Sequence, residues 1–243
     1  MSPYPEFNKS RGSGIAHNTV DTICAPFGFR ADHKYHAYLT GRSGAIVYED
    51  ADIEMAADMI IRGATDDRGN RCNSTKKVFV PQALKPALEA ALTARADQLV
   101  RGAPTDPQTD LGVNDPQART IAEQWTSSAR VFYDRDLILM EVDQSAAVLK
   151  EELPYPAVAV CYHAPDQDPV DLMNKTVEGT YLDAAIAVSI FSASEATYKE
   201  ASARTLACKT IHNLPSTAFD FWTSHQRWHL FMELTRKVEL VTG

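Results

Sequence analysis

Short apolar runs and longer amphipathic stretches alternate along this chain, and each change of period predicts a change of element. Ala45-Ile46-Val47-Tyr48 is a continuous apolar run of the buried-strand type, closed by Glu49-Asp50. Ile53, Ala56, Ala57, Ile60 and Ala64 then recur at helical spacing, with Asp50 or Asp52 placed to cap the helix and Gly63 near its end. A polar loop over 65–75 carries Cys72, and Lys77-Val78-Phe79-Val80 reads as a strand that stops at Pro81. Strand, helix, loop and strand in that order predict a right-handed βαβ unit. Leu84, Leu88, Ala91, Leu92, Ala96 and Leu99 mark a long amphipathic helix, and the turn-rich stretch 102–116 leads into another from Asp115-Pro116 to about Arg130.

The second half continues the alternation. Val131-Phe132-Tyr133, residues 137–142 and Val158-Ala159-Val160-Cys161-Tyr162 are strand candidates, and Asp168-Pro169 opens a short helix with proline in its first turn. Residues 185–191 form a fully apolar strand, after which Ser192 and Glu195 predict a capping box for a helix reaching about Ala207. Thr210-Ile211-His212 is a further core strand. A helix or loop follows around Trp222 to Leu230, and residues 236–241 alternate like an edge strand. The pattern predicts an α/β fold, a mostly parallel sheet with helices on both faces. Residues 1–35 read as an N-terminal arm and 36–243 as one domain, a size that suits the 243-residue chain.

Charge and composition narrow the partners. Lys plus Arg is 24 against 32 for Asp plus Glu, a net charge of −8, and no basic cluster is longer than Lys76-Lys77. That leaves no footprint for nucleic acid. The apolar runs are far shorter than the roughly 20 residues of a membrane helix, and residues 1–15 lack the apolar segment of a secretory signal. Cytoplasmic location with no membrane association is the expectation. Cys24, Cys72, Cys161 and Cys208 are widely spaced without a CxxC pair, so each reads as a single thiol rather than part of a zinc or disulfide framework. His225, His229 and Glu233 would share a helix face but accompany Trp222, Trp228 and Phe231, so packing is the preferred reading and no metal is expected. Cys161 and His163 flank Tyr162 on a strand and are read as structural.

Several short motifs occur in a telling order. Leu39-Thr40-Gly41-Arg42-Ser43-Gly44-Ala45-Ile46-Val47 is followed by Asp50-Ala51-Asp52, and Gly69-Asn70-Arg71-Cys72-Asn73-Ser74 is followed by Val78-Phe79-Val80. Downstream come Lys150-Glu151-Glu152-Leu153-Pro154-Tyr155-Pro156, then Asn174-Lys175-Thr176-Val177-Glu178-Gly179-Thr180, Ile211-His212-Asn213, and finally residues 234–241. From Tyr38 to Gly243 this order resembles the C-terminal, catalytic half of the aldehyde dehydrogenase superfamily. The resemblance implies that Cys72 is the nucleophile, with Asn73 or backbone N–H groups near the oxyanion, and that residues 234–241 form an oligomerisation strand. In that chemistry a thiolate adds to an aldehyde to give a thiohemiacetal, and hydride loss to NAD leaves a thioester. Glu152 falls where the family binds the nicotinamide-side ribose.

The departures also carry meaning. The family's general-base glutamate is Tyr38 here, and a phenol stays protonated at neutral pH and is a poor base. Pro154 and Tyr155 replace a Phe-Gly pair, and Leu214-Pro215-Ser216-Thr217 stands in place of a glycine-rich loop. Gly12-Ser13-Gly14 with His17 is not a dinucleotide fingerprint, and only residues 1–37 precede the match. The first expectation is therefore a Cys72-dependent enzyme acting on a small aldehyde or activated acyl substrate, with no cofactor on this chain alone. The second is an aldehyde oxidoreductase whose NAD domain comes from a partner chain. A third is a non-catalytic assembly or regulatory subunit. In all three a homo-oligomer or a cofactor-domain partner is expected, to cover the face that the missing half leaves bare.

Overall fold

The computed structural model describes residues 41–103, 105–113, 116–150, 155–177, 186–207 and 209–218. Among them the chain runs β1 (Gly44–Val47), α1 (Ile53–Thr65), β2 (Lys77–Pro81), α2 (Lys85–Asp97), β3 (Arg101–Gly102), β4 (Leu111–Gly112), α3 (Pro116–Thr126), β5 (Arg130–Asp134) and β6 (Ile138–Glu141). It continues with β7 (Ala157–His163), α4 (Pro169–Lys175), β8 (Ala187–Phe191), α5 (Glu195–Arg204) and β9 (Lys209–His212). Seven strands form one sheet in the order β5-β6-β7-β2-β1-β8-β9, and β3 pairs with β4. Only the β5–β6 pair of the large sheet is antiparallel; all its other pairs are parallel. The expected α/β fold with a mostly parallel sheet is what the chain adopts.

Strand periodicity explains the two-sided core. Ala45, Val47, Val78, Val80, Val158 and Val160 point to the face covered by α1 and α2, while Ile46, Phe79, Ala159, Cys161, Val188 and Ile190 point to the face that α3, α4 and α5 cover. Each large apolar side chain sealed this way, such as Phe79 at 1% exposure, contributes about 1.5–3 kcal/mol. Helix α1 begins where its spacing predicted, with Asp52 as N-cap accepting from Met55 N at 3.0 Å.

One cap differs from expectation. The N-cap of α5 is Ser194, whose side chain accepts from Thr197 N, and not Ser192. The Ser192 hydroxyl instead donates to the Asp50 carboxylate at 2.9 Å, tying the end of β8 to the end of β1. A side chain that sits two residues early reaches the segment after the neighbouring strand more easily than the helix. The segments 1–35, 222–230 and 236–241 lie outside the described residues, as do His225, His229 and Glu233. No helix among the described residues is long and apolar enough to cross a membrane.

The start of β2 holds an unusual residue for a sheet centre. Lys77 is 1% exposed, and its Nζ donates to the Leu149 carbonyl at 3.0 Å. Burial, and then the nearby Arg42 charge, push its pKa well below the usual lysine value. Between that lowered value and the unfolded value near 10.4, the unfolded chain holds a proton that the folded chain has released, so stability rises with pH. The slope is at most about 1.4 kcal/mol per pH unit. Urea titrations from pH 7 to 10 should show this rise in the wild type and its loss in Lys77→Met; equal slopes would contradict the assignment.

Candidate active site

The amino-terminal ends of β1, β2 and β7 lie side by side, through the pairs Gly44↔Lys77 and Lys77↔Ala159. The segments that lead into them, 41–43, 72–76 and 155–156, therefore converge on one edge of the sheet. Three of the motifs singled out in the sequence meet here, although more than 100 residues separate the first from the last.

Cys72 sits on the loop between α1 and β2, and its side chain is half-buried. The loop begins with a run of left-handed backbone: Asp67 at φ 51°, Arg68 at φ 56° and Gly69 at φ 69°. Left-handed geometry costs an L-residue about 1–2 kcal/mol, so Asp67 and Arg68 must be held there by their surroundings. Asn70 N bonds the Asp67 carbonyl at 3.1 Å, and the Arg68 guanidinium donates to the Val113 carbonyl at 3.2 Å. Beyond the cysteine, Ser74, Thr75 and Lys76 donate their N–H groups to the carbonyls of Arg71, Gly63 and Ser43. Ser43, fully buried, also places its hydroxyl 3.5 Å from the Cys72 carbonyl and accepts from Ala187 N at 2.9 Å. Cys72 thus stands on a loop whose backbone is fixed on both sides.

Asn73 is buried against the segment after β9. Its amide donates to the Ser216 carbonyl at 3.2 Å, and Ser216 returns its hydroxyl to the Asn73 carbonyl at 2.6 Å. With the Ser216 proton committed, Thr75 is the donor in the 2.8 Å contact between the two hydroxyls. Arg71, next to the cysteine in sequence, is paired with Asp66 at 2.9 Å on the surface. Tyr38 and Glu152 lie outside the described residues. Ser43, Lys76 and Ser216 shape the loop but carried no chemical signal in the sequence.

Cys161 contrasts with Cys72. It is wholly buried on β7, and burial, then the charges of Asp143 and Glu141, push its thiol up to about 12. His163, two residues on, is also buried and bonds the Ala164 carbonyl through Nδ1 at 3.0 Å. Among the described residues no group of three or more His, Cys, Asp or Glu could hold a metal ion.

A model of the aldehyde dehydrogenase family matches residues 29–220. The chain belongs to the aldehyde dehydrogenase family. Solved structures with the same fold include the gamma-glutamyl-gamma-aminobutyraldehyde dehydrogenase of Burkholderia cenocepacia, at 21% identity and TM-score 0.69, over 86% of this chain and 44% of that one. The glyceraldehyde-3-phosphate dehydrogenase of Methanocaldococcus jannaschii, complexed with NADP, matches at 20% identity and TM-score 0.69, over 84% of this chain and 46% of that one. Betaine aldehyde dehydrogenase of Staphylococcus aureus, in complex with NAD+, gives 22% identity and TM-score 0.65, over 74% of this chain and 39% of that one. The chain spans less than half the length of these aldehyde dehydrogenases.

Among the described residues no dinucleotide cradle is present. The turns after the parallel strands, Tyr48–Asp52, Gln82–Leu84, Ala164–Asp168 and Ser192–Ser194, contain no glycine for a close backbone approach to a pyrophosphate. Three of the helices that follow carry Asp52 with Glu54, Asp168 with Asp171, and Glu195 at their N-termini, where these carboxylates would repel a pyrophosphate. The described residues of this chain do not supply such a cradle by themselves.

Proposed function

We propose that the chain is a cysteine enzyme on the aldehyde dehydrogenase fold, forming a covalent adduct on Cys72 with a small aldehyde or an activated acyl group. The observation that carries this reading is the position of Cys72 on a tightly fixed loop at the convergence of three strand ends, only partly buried while Cys161 is sealed. With an activated ester, the thiolate sulfur bonds to the carbonyl carbon and the π pair moves to oxygen. Collapse of that intermediate expels the alkoxide or phenolate and leaves a thioester. Water then breaks the carbon–sulfur bond, releasing the acid and restoring the thiol. With an aldehyde the oxyanion takes a proton, and the thiohemiacetal remains at the aldehyde's oxidation level.

One Asn73 amide hydrogen is committed to Ser216, so its second one, or an N–H of the loop backbone, is assigned to the oxyanion. The test is a stopped-flow burst with 4-nitrophenyl acetate. One equivalent of nitrophenolate released per chain is expected, and a folded protein without a burst would contradict the reading.

A second reading rests on the relatives crystallised with NADP or NAD+ and on the share of their length that this chain spans. In it a partner chain brings the dinucleotide and the product is an acid formed with NADH. NADH production only after such a chain is added would favour it. Under both readings the chain works as a homo-oligomer or with that partner.

A further inference from the structure

The loop that carries Cys72 is closed by a side chain. Lys76, only 3% exposed, reaches back along its own loop to donate to the Gly69 carbonyl, and it donates across the sheet edge to the Tyr155 carbonyl at 3.0 Å. Its backbone is fixed as well, with its N–H on the Ser43 carbonyl at 3.0 Å and its carbonyl accepting from Ala159 N at 2.9 Å. A single residue therefore joins the segments leading into β1 and β7 to the left-handed turn that begins the cysteine loop. That turn is tightly enclosed: a Cβ on Gly69 would lie 2.8 Å from the Ala64 carbonyl oxygen, 3.0 Å from Pro156 Cα and 3.1 Å from Lys76 Nζ.

Burying an ammonium is expensive, and strained backbone persists only where its surroundings over-determine it. The ammonium at the Gly69 carbonyl links these two costs, because it anchors the end of the left-handed run and finds its own partners there. The chain from Gly69 to Cys72 reaches at most about 11 Å, so a turn that shifts carries the thiol with it. We propose that Lys76 is a positioning residue for Cys72, its ammonium clasping the cysteine loop to the Tyr155 carbonyl and fixing where the thiol stands. The inference rests on Cys72 acting as the nucleophile.

The test is the alkylation rate of Cys72, followed by peptide mapping, with neutral iodoacetamide and with anionic iodoacetate, in the wild type, Lys76→Met and Lys76→Arg. Lys76→Met, checked for folding by circular dichroism, should slow both reagents at least about tenfold and lower the iodoacetate-to-iodoacetamide ratio. Lys76→Arg, which keeps the charge and the donors, should restore the rate to within about threefold. If the Met variant fails to fold, Lys76→Gln takes its place, keeping a donor without the charge. Equal rates in wild type and neutral variant would overturn the clasp while leaving the nucleophile in place. A slowing that Arg does not relieve would overturn it in favour of plain packing. A folded wild type whose Cys72 does not react would instead count against the nucleophile reading, and the clasp would fall with it.

Discussion

A Gly41→Ala variant is expected to lose at least about 3 kcal/mol of stability and, with it, the ordered Cys72 loop. A Cβ at position 41 would lie 1.5 Å from the Cys72 carbonyl oxygen, 2.3 Å from its carbon and 2.6 Å from its Cα. All three are backbone atoms, so no change of rotamer relieves the clash. The two segments would have to separate by on the order of 2 Å to reach ordinary contact. Such a shift would strain the Ser43 contacts to Cys72 and Lys76. Urea denaturation read alongside Cys72 alkylation checks both parts, and a variant with wild-type stability would contradict the packing of residue 41 on the cysteine loop.

Cys72→Ser should keep the fold and lose the chemistry. Position 72 is half-buried, so the exchange of sulfur for oxygen is expected to change stability by less than about 1 kcal/mol. The serine hydroxyl stays protonated at neutral pH and needs an adjacent base to attack a carbonyl. The hydroxyls and amide fixed around the loop, those of Ser43, Thr75, Ser216 and Asn73, are not bases of that kind. Ester turnover should therefore fall about a thousandfold or more, with the burst abolished and the melting temperature nearly unchanged. Cys161→Ala should leave the burst intact, since that thiol is sealed in the core. A full burst from Cys72→Ser would remove the cysteine from the mechanism.

Much of this fold was legible because its elements obey simple periods. The apolar runs at 45–48, 77–80 and 158–162 became the three central strands, and the spacing from Ile53 to Ala64 became α1 with its aspartate cap. Buried parallel strands need continuous apolar residues, and amphipathic helices need a stripe, so both are written locally. Contacts set by chain geometry were less legible. Ser192 resembles a cap by spacing alone, and only the nearness of β1 shows that its hydroxyl belongs to Asp50. The motif around Cys72 singled out its loop, while the residues that hold that loop carried no signal. Ser216 meets Asn73 across 143 positions, and Lys76 meets Tyr155 across 79. A lysine beside another lysine reads as solvated surface until the strand next to it is known to be central.

The most direct measurement of the central claim is intact-mass spectrometry with peptide mapping after exposing the pure protein to activated acyl esters, and separately to aldehydes with and without NAD. A single acyl adduct on the peptide containing Cys72, formed from esters without NAD and absent from Cys72→Ser, is the predicted result. A folded protein that takes up no acyl group, or takes it up at residues other than Cys72, would contradict it.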